Sequence, residues 1–276
     1  MNAALVLAVS SLVFSVMALF AKEAAVRLPG PQVAFMRFAF GLLACAAVPL
    51  FRPLRARNKL GLLLRGALGG GAVLCYFLAI QHLPVGLATL LNFTAPVFTA
   101  IWAALFLGER LDARAVAALG VTTLGVTLVS WGGIGARASA WVLVGCASAV
   151  ISGAAIATIR EVRKTDGSWE IFAAMCVGGL VVTGIPAAHL WVAPSAREWG
   201  LLAAVGLTSI IGQMGLTWSL RELRAVSAGL LMQLTPIGAL ALGWLVYGDV
   251  IAPLAGLGAL VTVAGVTWGA ARNPGL

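Results

Sequence analysis

The sequence predicts an all-α integral membrane protein with ten transmembrane helices, arranged as two inverted-topology repeats of five helices around a central cavity. Three observations lead to this prediction: the composition, the placement of basic residues and an internal repeat. Of the 276 residues, 61% are hydrophobic and only 10% are charged, and the mean hydropathy is +1.03. A water-soluble domain of this size needs more polar side chains to cover its surface. The chain is therefore expected to lie in a bilayer.

The predicted spans are apolar runs of about 20 residues, the length that crosses a bilayer as a helix. Charge clusters and Gly/Pro turns separate them. They lie at 2–21, 32–51, 60–82, 85–107, 113–131, 139–159, 169–190, 199–219, 226–247 and 251–270. The first run has no basic segment before it and no small-residue cleavage site after it, so we interpret it as a retained helix and not as a signal peptide.

Basic residues concentrate on one side of the predicted membrane. With a cytoplasmic N-terminus, 13 Lys and Arg residues fall at the inner side, and Arg65 is counted among these inner-loop residues. Four fall in outer loops, namely Lys22, Arg27, Arg137 and Arg197. The positive-inside rule then predicts that both termini are cytoplasmic and that the 132–139 loop lies outside. The net charge of +9 is a topology signal rather than a nucleic-acid-binding surface.

Alignment of the chain with itself reveals the repeat. At a shift of 140 residues Pro96 meets Pro236, and "GVT" at 125 meets "GVT" at 265. At a shift of 137 residues "SSLVFS" at 10–15 lies over "ASAVIS" at 147–152. The halves are 1–137 and 138–276. Because each half has an odd number of predicted spans, the second enters the membrane from the opposite side, an arrangement typical of secondary transporters.

Two prolines interrupt equivalent spans of the two halves. Pro96 leaves the carbonyl of Asn92 without its helical donor, and Pro236 does the same for Met232. Such carbonyls are tolerated where protein or a water-filled cavity satisfies them. We predict a hinge or kink at each proline. A plain packing kink is the alternative, but the amide side chains of Asn92 and Gln233 beside the bends favour a cavity.

The stretch "APVFTAIWAALFLGERLDARAVAALGVTTLGV", its echo "TPIGALALGWLVYGDVIAPLAGLGALVTVAGV" and "FMRF" in span two resemble the EamA-type branch of the drug/metabolite transporter superfamily. Within that branch the chain resembles the YddG exporters of aromatic amino acids. The resemblance implies ten helices, an inner-membrane location and export of Phe, Tyr, Trp and related amphipathic solutes. Ala174 stands where the first half has Arg37, so a role of that arginine is not duplicated.

Several classes of protein are disfavoured by what the spans lack. All nine acidic residues lie at or near span ends, so there is no midplane carboxylate to carry proton-coupled exchange of lipophilic cations. "VYGD" lacks the first glycine of a GxGD protease motif. His82 and His189 lie at span ends, and the four cysteines form no CxxC pair. We therefore expect no enzyme activity, no metal and no cofactor.

The candidate substrate-binding residues are polar or aromatic side chains within the predicted spans. They are Ser11, Ser15, Tyr76, Asn92, Thr99, Trp102, Ser148, Ser152, Gln213, Gln233 and Thr235. The serines form i,i+4 pairs that could bind a ligand, bond their own i−4 carbonyls or let helices pack closely. The expected cavity is lined by spans one, three, four, six, eight and nine, with spans five and ten at the periphery.

Arg37 and Lys22 lie near the outer ends of their spans. Each either snorkels to the outer headgroups or acts as a gate, and Arg37 is also placed to contact a substrate carboxylate. The leading hypothesis is a carrier that exports amino acids by alternating access. The alternatives are an exporter of amphipathic cations and a channel-like membrane protein. We expect a monomer or weak homo-oligomer, because the GxxxG pairs at Gly66 and Gly265 permit helix contacts without requiring them.

Overall fold

The computed structural model describes residues 3–47, 55–107, 113–131, 136–219, 231–232, 234–248 and 253–270. This part of the chain is helical and contains no strand. Its helices are α1 (Ala3–Ala24), α2 (Gly30–Ala47), α3 (Lys59–His82), α4 (Val85–Asn92), α5 (Ala95–Leu107), α6 (Ala113–Trp131), α7 (Ala136–Val162), α8 (Ser168–His189), α9 (Ala196–Ser219), α10 (Leu234–Tyr247) and α11 (Pro253–Ala270).

Within the described ranges, 7 helical segments are long and apolar enough to cross a membrane. They are Ala3–Ala24, Gly30–Ala47, Lys59–His82, Val85–Phe106, Ala140–Ile159, Ser168–His189 and Ala196–Leu216. Shorter apolar helices occupy the other predicted spans, at Val116–Gly125, Leu234–Tyr247 and Gly256–Gly265. The described part of the chain is therefore all-helical, and it contains several segments that could cross a membrane.

The run predicted over 85–107 is divided into two helices. α4 ends at Asn92, and α5 begins at Ala95 after a two-residue turn. The Thr94 hydroxyl donates to the carbonyl of Leu91 at 2.8 Å, which satisfies one of the carbonyls that the broken helix frees. Pro96 lies in the first turn of α5, where a missing N–H removes no helical hydrogen bond.

Small residues allow close contact between α3 and α8. A Cβ atom added to Gly66 would lie 2.5 Å from the carbonyl oxygen of Ala174, and one added to Gly70 would lie 2.8 Å from the Cα of Gly179. Such small-residue faces are how membrane helices approach closely. The Gly66xxxGly70 pair is thus used within the chain.

α6 and α11 pack on each other through a reciprocal contact. A Cβ atom on Gly125 would lie 2.4 Å from Oγ1 of Thr262, and one on Gly265 would lie 2.7 Å from Oγ1 of Thr122. These residues are equivalent in the 140-residue self-alignment. The two helices mainly contact each other. Gly265, which was considered above for contacts between copies of the chain, is buried between them.

The bundle has two ends, which we name after a residue at each. At the Asp166 end, the carboxylate of Asp166 accepts hydrogen bonds from the backbone N–H groups of Arg57 (2.7 Å) and Asn58 (3.0 Å). Burial raises the pKa of this carboxyl, but the hydrogen bonds from Thr165 and the two N–H groups lower the pKa by a larger amount. The pKa therefore lies below its usual range. These bonds tie the start of α3 to the α7–α8 connection.

At the Gln32 end, side chains tie several helices together. The amide of Gln32 donates to the carbonyl of Val192 at 2.7 Å and accepts from its N–H at 3.0 Å. Ion pairs join Arg27 to Glu198 and Arg197 to Glu23, the latter at 2.7 Å. Because these contacts connect α1 and α2 to α9 and to the loop before it, the bundle is held together at this end.

Candidate functional site

A cavity of about 140 Å³ lies inside the bundle. Its lining is mostly apolar with a few polar groups, as in small-molecule sites. The lining residues are Phe14, Met17, Arg37, Ala72, Val73, Tyr76, Phe77, Asn92, Phe93, Ser152, Leu216, Met232 and Thr235. They come from predicted spans one, three, four, six, eight and nine, and also from span two, which contributes Arg37. Among the residues whose side chains the structure describes, none of α6 or α11 is in this lining.

Arg37 is the charged group of the cavity. It is only 6% exposed, and its guanidinium carbon lies 5.0 Å from the centre of the Phe38 ring. Its Nε and Nη1 atoms have no hydrogen-bond partner among the described residues. The snorkelling interpretation is therefore wrong, because the side chain is buried in the bundle. An unpaired buried cation is costly, so this position favours an anionic partner.

Asn92 connects the broken span to α7. Its Nδ2 donates to Oγ of Ser148 and lies 3.3 Å from Oγ of Ser152. Asn92 and Ser152 line the cavity, whereas Ser148 is fully buried behind them. The helix break at Phe93 places this amide at the end of α4, and both amide protons point to hydroxyl groups of α7. Its carbonyl oxygen is then the group available to accept a hydrogen bond.

Tyr76 is held by a short chain of hydroxyl groups. Its phenolic oxygen lies 2.8 Å from Oγ1 of Thr89, and Thr89 donates to the carbonyl of Val85 at 2.7 Å. Because the single hydroxyl proton of Thr89 is used on Val85, the Tyr76 O–H is the donor of the pair. The lone pairs of Tyr76 can still accept a hydrogen bond from a group in the cavity.

The serines of α1 bond to the backbone. Ser11 donates to the carbonyl of Leu7 at 2.9 Å, and Ser15 lies 2.9 Å from the carbonyl of Thr235. Thr235 in turn donates to the carbonyl of Ser11 at 3.1 Å. Both serines are 1% exposed and outside the cavity lining, whereas Thr235 lies within it. Of the three alternatives given for this pair, the structure agrees with hydrogen bonding to carbonyls and with close helix packing.

The other candidates lie apart from the lining. Thr99 donates to the carbonyl of Ala95 at 3.0 Å, and Nε1 of Trp102 donates to that of Val150 at 3.0 Å. Gln213 is half-buried on α9. Lys22 donates to the carbonyls of Ile80 (2.9 Å) and Leu83 (2.8 Å), at the end of α3. Gln233 lies outside the described residues, and Pro236, like Pro96, lies in the first turn of a helix.

Arg65 does not lie in a loop, so its place in the inner-loop count is wrong. It is on the second turn of α3 and is 6% exposed. The sequence contained the relevant clue, because Arg65 falls inside the apolar run 60–82. The apolar lining residues were also missed, since phenylalanines are too common in membrane helices to be distinguished by type.

The sequence matches the model of the EamA-like transporter family twice, over residues 1–131 and 139–268, and the chain belongs to this family. Members of the family are transporters rather than enzymes. With the apolar helices described above, this identifies a multi-pass membrane transporter.

Individual relatives are exporters of small molecules. The chain is 32% identical to the pseudopaline exporter CntI of Pseudomonas aeruginosa, over 87% of this chain and 86% of that protein. It is 33% identical to a probable terminal-alkyne amino-acid exporter of Streptantibioticus cattleyicolor (81% and 77% covered). It is 29% identical to the threonine/homoserine exporter RhtA of Escherichia coli (85% and 80% covered). A solved crystal structure superposes with a TM-score of 0.67 over 96% of this chain and 95% of the other, at 22% identity, and shows the shared fold.

Proposed function

We propose that this chain is a secondary transporter that exports amino acids or compounds derived from them across the bacterial inner membrane. Its substrate binds in the cavity beside Arg37 and moves by alternating access. The observation that carries the proposal is a buried arginine with unpartnered nitrogens in a mostly apolar cavity. An amino acid supplies what such a cavity lacks, a carboxylate attached to an apolar body.

The proposed mechanism requires two inverted halves of five spans each, 1–137 and 138–276. Two family matches of similar length and the reciprocal packing of α6 and α11 support this division. The helix contacts also mirror each other, since α3 packs on α7 as α1 packs on α9. With the charge distribution of the loops, this arrangement supports a cytoplasmic location of the Asp166 end and of both termini.

The polar groups of the cavity suit a zwitterionic head. The carboxylate pairs with the guanidinium of Arg37, in the bidentate geometry that arginine favours. The ammonium group donates to the phenolic oxygen of Tyr76 and to the amide oxygen of Asn92. Both acceptors are fixed by hydrogen bonds behind them, to Thr89 and to the serines of α7. A neutral head or a lone cation leaves Arg37 unpaired, so we propose neither as substrate.

The apolar part of the substrate packs against aromatic and aliphatic side chains. Phe14, Phe77 and Phe93 lie in the lining, together with Met17 and Leu216. Such a wall accepts the aromatic amino acids Phe, Tyr and Trp, and the smaller side chains of threonine and homoserine fit the same space. We propose that these five amino acids form the panel of compounds to be tested as substrates.

Alternating access requires the contacts at the Gln32 end to open. In the described state they are formed: Arg27 binds Glu198, Arg197 binds Glu23, and Tyr247 of α10 donates to Glu23 at 3.2 Å. The proposed cycle breaks these contacts when substrate is released outward. Exposed ion pairs are individually weak, so their exchange does not impose a large barrier.

Counterflow in proteoliposomes tests this function. Liposomes loaded with an unlabelled amino acid of the panel should accumulate the labelled compound, and L-isomers should exceed D-isomers. Liposomes without the protein, and proteoliposomes without unlabelled substrate inside, are the controls. A carrier shows this trans-acceleration, whereas flux without saturation or stereoselectivity would indicate a channel and would exclude alternating access.

A further inference from the structure

Arg65 lies on the face of α3 that leads to the cavity. Counting from Arg65, Gly69 is four residues on, Ala72 seven and Tyr76 eleven, which is the spacing of one helical face. Ala72 and Tyr76 line the cavity. At 1.5 Å per residue, Arg65 lies about 10 Å from Ala72 along the helix, toward the Asp166 end.

The side chain of Arg65 extends toward the cavity. A Cβ atom on Gly69 would lie only 2.3 Å from Nη1 of Arg65, so the guanidinium group lies over this glycine. Side chains on a helix usually lean toward its N-terminus, and here the absence of a side chain at position 69 permits the opposite direction. The group is buried, and its Nε has no hydrogen-bond partner in the described ranges.

Arg65 and the helix that carries Arg37 contact the same segment of α8. Nη2 of Arg65 is 2.9 Å from Sδ of Met175. A Cβ on Gly41, one turn from Arg37, would lie 2.7 Å from Sγ of the next residue, Cys176. Both arginines are buried, and no ion pair to either is found in the described part of the chain.

None of the carboxylates in the described ranges forms an ion pair with Arg37 or Arg65, and this includes Glu170, which is buried in the first turn of α8. Glu23 pairs with Arg197, Glu198 with Arg27 and Glu161 with Lys164. Asp166 accepts its hydrogen bonds from backbone N–H groups at the end of the bundle. Two buried cations without an ion-pair partner in the described ranges therefore leave a positive potential beside the cavity.

We propose that Arg65 and Arg37 together form a two-arginine site, and that the substrate is an amino acid with a second acidic group. One carboxylate binds Arg37, and the other reaches the guanidinium group of Arg65 where it lies over Gly69. A substrate that enters from the Asp166 end meets Arg65 first and Arg37 second. This inference rests on the proposed function, because it names the substrate class of the same cavity.

A competition experiment with matched compounds tests the two-arginine site. Phenylalanine is compared with 4-carboxyphenylalanine, and glutamine with glutamate, as competitors of counterflow and as stabilisers of the detergent-purified protein against heat. Each pair differs by one carboxylate. We expect the dicarboxylate to compete at about tenfold lower concentration than its neutral partner and to raise Tm further at equal concentration.

Variants separate Arg65 from the rest of the site. Arg65→Gln should reduce the preference for the dicarboxylate to less than about twofold while monocarboxylate transport continues, and Arg65→Lys should retain part of the preference. Lys59→Gln, which removes an exposed cation at the same end of α3, is the matched control and should leave the preference unchanged.

Equal competition within each pair by the unaltered protein would overturn the two-arginine site, as would a full preference retained by Arg65→Gln. If phenylalanine or glutamine is exchanged in either of these cases, the proposed exporter function stands and only this inference fails. If no compound is exchanged and none stabilises the protein, both fail.

Discussion

Two pairs of serines, equivalent in the self-alignment, are used differently in the two halves of the chain. In α1, Ser11 and Ser15 donate to backbone carbonyls, including that of Thr235, and lie outside the cavity lining. In α7, Ser148 and Ser152 receive the amide of Asn92, and Ser152 faces the cavity. A hydroxyl bonded to the backbone fixes two helices, whereas a bond between side chains at a cavity wall can be exchanged for one to a substrate.

The stretches that align with each other share several residues and differ at the positions proposed for substrate binding. The serines, the glycine–threonine contacts of α6 and α11 and the two prolines are duplicated. Arg37, Arg65 and Asn92 are not: the 137-residue shift places Ala174 and Leu202 at the first two positions, and the 140-residue shift places Met232 at the third. Positions that break the repeat are therefore the better candidates for substrate contact.

The largest expected effect is at Arg37. Arg37→Ala, which gives the first half the residue of the second, should lower transport by about 100-fold, corresponding to about 3 kcal/mol for a lost charged hydrogen-bond pair. Because the variant removes an unpaired buried charge, its thermal stability should be unchanged or higher. Initial rates of uptake and Tm measure the two effects, and a folded variant with normal transport would remove the arginine from the site.

Smaller effects should distinguish the Asn92 contact with the serines of α7 from the backbone contacts of the serines of α1. Asn92→Ala should lower transport about tenfold, since it removes a polar group of the cavity wall. Ser15→Ala should instead lower stability by about 1 kcal/mol and leave the apparent KM unchanged, because its hydroxyl bonds only backbone. Transport kinetics and unfolding by denaturant in the same detergent compare them. The reverse result, with Ser15 setting KM, would contradict the distinction.

Pro96→Ala and Pro236→Ala should have opposite effects. Each alanine supplies an N–H that can bond the carbonyl of Asn92 or Met232 and extend the helix backward. In inverted halves, one change should favour opening at the Gln32 end and the other opening at the Asp166 end, each by roughly threefold in population. Labelling of cysteines placed at either end reports the shift. Effects in the same direction would count against the inverted arrangement.

The smallest effect on transport is expected at the α6–α11 contact. Gly125→Ala should cost about 1–3 kcal/mol of stability, because its Cβ would meet Thr262, and should leave the KM unchanged. Gly120→Ala on the same helix is the matched control, since nothing lies within 4 Å of its added Cβ. A change in KM with Gly125→Ala would place this pair nearer to the site than the lining indicates.

Most of the fold could be predicted from the sequence because apolar length and charge placement are direct consequences of the bilayer. For α1, α3, α6, α7, α8 and α9 the bounds follow the predicted runs within about three residues, and the break near Pro96 lies where the proline indicated an interruption. The family assignment, based on the stretch from the proline to "GER", is confirmed by the match over both halves.

The site could be predicted only in part, because side-chain direction depends on packing that the sequence does not state. Tyr76, Asn92, Ser152 and Thr235 lie in the cavity lining, whereas Ser11 bonds the backbone. The buried position of Arg65 depends on an empty space above Gly69, which becomes visible only when α3 is built. Polar residue type indicates a need for partners, but it does not identify them.

Accessibility of a cysteine in the cavity tests the central claim most directly. In a cysteine-free protein, Val73→Cys places a thiol in the lining. We expect a membrane-impermeant maleimide to reach this thiol from either side of oriented vesicles, and a transported amino acid at saturating concentration to protect it. We also expect that joining cysteines at positions 23 and 197 with a bifunctional maleimide restricts labelling to the Asp166 side. Labelling from both sides after this cross-link would contradict alternating access through this cavity. So would labelling that no transported substrate reduces.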